Sequence, residues 1–422
     1  MSYAGSSSFG TSAGGLNGGS IGEVFDEWQN RINAEGNSFA SVLNAKYLEK
    51  WNSKALVDAM RIRTALVLGL QEFFVKKGLI NIDRVSISPI TDPLCHDVEH
   101  VPVIAYQNVP YRTTHSMIYS KFLACMNPQV KGIFVDSPNI RLEMPHQDEV
   151  KQKKYLIDFS QMDVEVRRAT SISGDAYLDR QDEVARILQG ELDNALDFFE
   201  DMIVAGITSI LESCEDALQE LGIELKVPKK PFPRFYKDEC GGSDDDLEKR
   251  LGKKVEGQFF WVLGLLRENY DLVYPFLNRD GSTRQGQPIP SRQIYNYDLC
   301  AQAAYPQGGR GEAFEVLSGG LREWYYPAII ARLLANKVIR EAPRFDAAGN
   351  VSNMRELDGY GPFLAAAASK TATGEAAFPQ TFGGGLGIER SLFALLQGPV
   401  IRTIDQVTYF GKNPDAGSPF LF

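Results

Sequence analysis

Between Lys54 and Lys77 apolar residues return at helical spacing: Leu56, Met60, Ile62, Leu66, Leu70, Phe73 and Phe74 form one stripe, and Gly78 closes the segment. A stripe of that kind predicts an amphipathic helix that lays one face on a core. The same period predicts helices over Ser116–Met126, Trp324–Lys337 and Ser391–Leu396. It also predicts a long one over Asp179–Leu221, acidic on one side and lined with Leu, Phe and Ile on the other. Alternating runs predict strands at Asn81–Pro89, Gly132–Asp136, Ile140–Glu143, Tyr155–Arg167, Lys254–Leu266, Ile294–Ala301 and Ala313–Gly320, with a turn at Ser137-Pro138. These strands come as antiparallel-looking runs broken by helices of unequal length, not as βαβ units, so the expected class is α+β. Met1 to Ser20 is dominated by glycine and serine and cannot bury a core. Residues 1–39 are therefore expected to form a flexible extension, and residues 40–422 a single domain.

Chemistry concentrates in four places. The first is Phe378-Pro-Gln-Thr-Phe-Gly-Gly-Gly-Leu-Gly-Ile-Glu-Arg390. Its glycines lack the Lys-Ser/Thr of a P-loop and the spacing of a dinucleotide fingerprint. They predict a strand that lets a ligand approach the backbone, followed by a helix whose first turn carries Arg390, suited to a phosphate or a purine face. A plain strand-to-helix turn with a surface arginine accounts for this segment alone equally well. The second pairs Arg141 and Glu143 with Gln161, Asp163 and Glu165, each set on one face of an antiparallel pair. So many charges on one face are costly to bury without a polar ligand, although a solvated sheet face is the simpler reading of this segment alone. The loop 145–154 between them ends basic. Glu315 and Arg322 bracket a small-residue strand, where an acid can hold a metal and an arginine a carboxylate. His115, Ser116 and Lys121 open the fourth segment, with Ser116 at a helix start.

Composition narrows the classes. The 422 residues carry 44% hydrophobic and 23% charged residues, an ordinary globular balance. A net charge of −10 argues against a general nucleic-acid binder. The five cysteines are scattered and form no zinc or disulfide pattern, and no run reaches membrane-spanning length. With no visible signal or transit peptide, a cytoplasmic protein is expected.

Taken in order, the four segments resemble the catalytic core of class II aminoacyl-tRNA synthetases of the aspartate/asparagine type. They resemble still more closely that group's relative, the ammonia-dependent asparagine synthetases. The carriers are His115-Ser116…Lys121, Arg141, Gln161-x-Asp163-x-Glu165, Ala313 to Arg322, and Pro379 to Arg390, over about residues 60–409. The resemblance implies an antiparallel sheet flanked by helices in a homodimer. It implies an enzyme that joins ATP and aspartate into a β-aspartyl adenylate, which ammonia converts to asparagine. By the same resemblance ATP falls to Arg141, Glu143, Asp298, Glu315, Ser318, Gly385, Gly387 and Arg390, and Mg²⁺ to Asp298 and Glu315. The amino acid falls to His115, Ser116, Lys121, Gln161, Asp163 and Arg322. Catalysis falls to Arg141, Gln161 and an acid that takes the ammonia proton, Asp97 or, failing that, Asp92. Residues 1–50 are too few for a five-stranded OB-fold, so tRNA is not expected as a partner; a tRNA-charging enzyme, or a paralogue with another acid or amine, is the alternative.

Overall fold

The computed structural model describes residues 48–88, 102–141, 154–243, 246–266, 270–284, 287–357 and 360–410, with a few positions between 23 and 36. The chain divides into two compact units with the boundary between Ser53 and Lys54. Of the first, a helical turn at Glu49–Trp51 is described; the expected extension over 1–39 falls largely outside the described residues.

The second unit is built on an eight-stranded sheet ordered β1-β5-β6-β11-β10-β9-β8-β7. In chain order these are β1 Ile80–Asn81, β5 Gly132–Ile140, β6 Asp158–Arg167, β7 Arg234–Tyr236, β8 Phe259–Leu263, β9 Asn296–Ala301, β10 Phe314–Leu321 and β11 Thr381–Gly387. The six inner strands pair antiparallel, while β1 and β7 add to the edges in parallel. The remaining strands, β2 Ile87–Ser88, β3 Val103–Tyr106 and β4 Val109–Thr113, form a small separate sheet.

One face of the large sheet is covered by two long helices, Lys54–Lys76 and Gln181–Ser213. They approach closely because Gly69 and Gly206 lie at their contact. A β-carbon on Gly69 would stand 2.6 Å from that of Ser209, and one on Gly206 2.8 Å from Leu66 Cδ1. Phe199 of the second helix reaches the sheet at Gly384, 3.3 Å from where a β-carbon would sit. With this face closed by Phe74, Leu196, Phe199 and Leu66, the functional side chains of β6, β10 and β11 are left to the opposite face.

Several expected boundaries shift for identifiable reasons. Ser137-Pro138 is no turn: β5 runs through it as one strand. Proline is tolerated there because β1 pairs only with Ile133 and Phe134, leaving that side of β5 an edge. The long acidic helix breaks into Gly174–Asp179, Gln181–Ser213 and Glu215–Leu221, with Arg180 and Cys214 outside helical geometry.

Candidate functional site

The site rests on glycines. Along β11, Gly383, Gly385 and Gly387 stand opposite Glu165, Asp163 and Gln161 of β6. A β-carbon on Gly383 would lie 1.9 Å from Glu165 Oε2, and one on Gly385 3.0 Å from Asp163 Oδ1. The alternate glycines are thus the space that lets three polar side chains of β6 lie across the neighbouring strand. On the other side Ser318 of β10 faces Gly385, and Asp298 of β9 faces Ser318. A register shift between Glu315 and Leu317 allows Glu315 and Ser318, an odd number of residues apart, both to reach the same cavity.

That cavity, about 330 Å³, gathers residues from every predicted segment: Ser116, Lys121, Arg141, Gln161, Asp163, Asp298, Glu315, Ser318, Arg322, Gly385, Gly387 and Arg390. The strand register orders its charges. At the Gly387 end, Arg390 donates to Glu315 at 2.9 Å and lies 4.7 Å over the Tyr155 ring. Arg141 stacks 5.3 Å from Phe159, and its Nε donates to the His115 carbonyl at 3.2 Å. Lys154 lies over Tyr155 and Phe314. In the middle, Lys121 meets Asp163 at 2.5 Å, and Ser137 Oγ donates to the other carboxylate oxygen. At the Gly383 end, Arg322 donates to Glu165 at 3.2 Å and to Asp271 at 3.1 Å. Thr381 Oγ1 also donates to Glu165, at 2.6 Å. Burial would push the Arg322 guanidinium down, but the fields of Glu165 and Asp271 outweigh it and hold it above its usual range.

These distances correct one expectation. The charges of β6 are not bare: Asp163 already pairs with Lys121 and Glu165 with Arg322, all four buried, so a ligand would meet them as fixed pairs. Buried pairs of this kind are fixed points, because removing one partner strands the other. His115 is buried beside the cavity and does not line it; its carbonyl orients Arg141. Asp97, Asp92 and Glu143 lie outside the described residues.

Asp298 and Glu315 both line the cavity and offer the hard oxygen donors Mg²⁺ prefers. Two carboxylates completed by substrate phosphates is a usual arrangement for that ion, so the donor set fits. Among the described residues no group of three or more metal-ligating side chains forms a self-sufficient metal site.

Two acidic residues of the cavity were not singled out in the sequence. Asp271 lies between strands, in a stretch of turns tied down by isolated bridges. Glu389 precedes Arg390, is buried, and accepts the Ser160 backbone N–H at 3.0 Å; burial raises its carboxyl above the usual range. A buried acid in the first turn after a glycine strand was the available signal for Glu389; Asp271 had none.

No family model matches the chain. Among curated proteins it is similar to the aspartate–tRNA(Asp) ligase of Pyrococcus furiosus, 23% identical over 294 residues, covering 69% of this chain and 59% of that one. It is also similar to the aspartate–tRNA(Asp/Asn) ligase of Methanoculleus marisnigri, 24% identical over 278 residues, covering 60% and 58%. The chain thus spans less than two thirds of these relatives' length. Among solved structures, asparaginyl-tRNA synthetase from Pyrococcus horikoshii complexed with asparaginyl-adenylate superposes with a TM-score of 0.60 at 15% identity, over 86% of this chain and 70% of that one. The enzyme of that name from Entamoeba histolytica, also with asparaginyl-adenylate, gives 0.57 at 14% identity over 94% and 72%. The similarity runs to tRNA ligases, which overturns the expectation that tRNA is not a partner class for this fold. The size of residues 1–50 was too weak a ground for that exclusion. Among the described residues no helix is long and apolar enough to cross a membrane. With its α+β sheet and helices, the chain has the fold of the asparaginyl-tRNA synthetases it superposes on, a class II aminoacyl-tRNA synthetase-like fold.

Proposed function

We propose that the protein is an ATP-dependent, AMP-forming ligase that activates an amino acid of the aspartate–asparagine class as an acyl adenylate and passes the acyl group to tRNA. The observation that supports it is the order of charges along the cavity. Arg141, Arg390 and Lys154 gather at one end, and the buried pairs of Lys121 and Arg322 lie toward the other. The four steps from Gly387 to Gly383 span about 13 Å of extended strand, which suits a phosphate-to-amino-acid arrangement.

In this reading the substrate carboxylate oxygen attacks the α-phosphorus, and pyrophosphate leaves from the opposite side. Arg141, held by the His115 carbonyl and the Phe159 ring, meets the negative charge that builds on the α-phosphate. Arg390, braced by Glu315 and Tyr155, faces the adenine or the terminal phosphate. Asp163 accepts the α-ammonium, with Lys121 fixing its orientation, and Gln161 aligns the carboxylate that reacts. Mg²⁺, held by Asp298 and Glu315, would supply charge neutralisation on the phosphates. The glycine floor keeps side chains out of the path of the phosphates. We further propose a homodimer, in keeping with Val57, Leu68, Val75 and Ile80, exposed in a single protomer.

The test is amino-acid-dependent exchange of labelled pyrophosphate into ATP, followed by transfer to total tRNA or to ammonium. Exchange with transfer to tRNA is the expected result. Free asparagine formed from aspartate and ammonium, with no charged tRNA, would instead support the ammonia-dependent ligase. Absence of exchange with any amino acid would remove the adenylate reading.

A further inference from the structure

The carboxylate of Asp163 is held from behind the cavity as well as from within it. Lys121 takes one of its oxygens, and Ser137 Oγ of β5 donates to the other. In the β5–β6 pairing Ser137 stands opposite Gln161 and Val135 opposite Asp163, so Ser137 reaches Asp163 along the diagonal of one sheet face. Asn139, two residues further along β5, lies on that same face. Its Nδ2 donates to Ser137 Oγ at 3.1 Å and to the Ser137 carbonyl at 3.2 Å. Ser137 and Asn139 are fully buried, and neither lines the cavity.

The direction of these bonds follows from the atoms. A backbone carbonyl only accepts, so the Asn139 group that faces it is the NH₂. That NH₂ occupies a lone pair of the Ser137 hydroxyl, whose single proton goes to Asp163. The result is a one-way relay, amide to hydroxyl to carboxylate, that ends on a charge and strengthens along its length. With Lys121 on one oxygen and Ser137 on the other, the Asp163 carboxylate cannot turn without breaking a bond. A lone pair on each oxygen stays available to a ligand in the cavity.

Packing alone does not explain an asparagine at this position. Asn139 Oδ1 is buried with no hydrogen-bond partner among the described residues. An orphaned buried carbonyl destabilises a fold, and leucine has nearly the same shape without one. What leucine lacks is the NH₂ that directs Ser137.

We infer that Ser137 and Asn139 are positioning residues for the amino acid: through this relay they fix the carboxylate that receives the α-ammonium. The inference rests on the adenylate-forming reading above, in which Asp163 meets that group. It is tested by pyrophosphate exchange in wild type, Ser137→Ala, Asn139→Leu and the double variant, with melting temperatures recorded for each. Amino acid and ATP-Mg²⁺ are varied separately. Ser137→Ala is expected to raise the amino-acid KM by about tenfold or more and to leave the ATP KM within about twofold. Asn139→Leu is expected to raise the amino-acid KM by about threefold or more and to melt no lower than wild type. In the Ser137→Ala background it should add nothing further, because its effect passes through the hydroxyl. Folded variants with the wild-type amino-acid KM overturn the inference, and a lowered melting temperature beside an unchanged KM marks a packing role. Equal rises for amino acid and ATP, or independent effects in the double variant, overturn it too. If one single variant fails to fold, the KM split in the other decides. If both fail, the two side chains serve the fold and the inference falls. Absence of exchange by the wild type with every amino acid removes the adenylate reading itself, and this inference with it.

Discussion

Replacing Gly383 with alanine separates the structural from the catalytic role of the glycine strand. The added β-carbon would stand 1.9 Å from Glu165 Oε2 and 2.4 Å from the Val164 carbonyl oxygen. The first contact can relax if Glu165 moves, but that breaks its bonds to Arg322 and Thr381. The second is with backbone inside a paired strand and cannot relax without shifting β6. Overpacking of this kind costs about 1–3 kcal/mol, and loss of a hydrogen bond to a charged group about 1.5–3 kcal/mol more. A penalty of at least ~3 kcal/mol follows, on the order of 4 °C in melting temperature for a domain this large. Gly385→Ala is the control. Its β-carbon meets only side chains, Asp163 at 3.0 Å and Gln161 at 3.3 Å, and projects into the cavity. It should melt within about 2 °C of wild type and lose pyrophosphate exchange. Thermal unfolding by circular dichroism, run beside the exchange assay, reads both. A Gly383→Ala protein that melts like wild type, or a Gly385→Ala protein that melts as low as Gly383→Ala, would refute this steric reasoning.

Lys121→Met leaves Asp163 buried without its cation and should cost about 3–5 kcal/mol in denaturant unfolding. Adding Asp163→Asn should recover at least ~1 kcal/mol of that, and strict additivity of the two changes would contradict a coupled pair. Arg390→Ala should lower pyrophosphate exchange by about 100-fold or more. Its partly exposed pair with Glu315 contributes at most about 1 kcal/mol, so the melting temperature should hardly change; wild-type exchange in this variant would displace Arg390 from the ATP site. Glu323, next to Arg322 in the chain, is buried, and burial raises its carboxyl to about 7, against the Tyr325 N–H, the positive field of Arg332 and the Tyr177 hydroxyl. Its protonated form is favoured in the fold, so this contribution is fully present below about pH 4.5 and is lost as pH rises through about 7. The span is on the order of 3 kcal/mol. Glu323→Gln should flatten the stability–pH curve in that window, and an unchanged curve would show that another group carries it.

The legible parts of the chain were those where one segment contains its whole reason. The glycine strand leading into Arg390, the Gln161–Asp163–Glu165 alternation and the Lys54–Lys77 stripe all appear, the last as a helix over Lys54–Lys76. What stayed hidden depends on partners distant in sequence. Asp271 belongs to no strand and acquires its position from Arg322, Asn296 and Arg332. Likewise, nothing local shows that Lys121 and Arg322 would neutralise the acids of β6. The hairpin of β3 and β4 was missed because its turn, Gln107-Asn108, takes positive φ values of 50° and 63° without a glycine to announce it. Pro138 misled for the opposite reason: a residue that usually ends strands is harmless on an unpaired edge.

The most direct test of the central claim is exchange of labelled pyrophosphate into ATP by the wild-type protein, with each amino acid in turn. Exchange that depends on asparagine or aspartate, and disappears in Arg141→Ala, is the expected result. No exchange with any amino acid, from a protein that melts cooperatively, would contradict the proposal that this cavity forms an acyl adenylate.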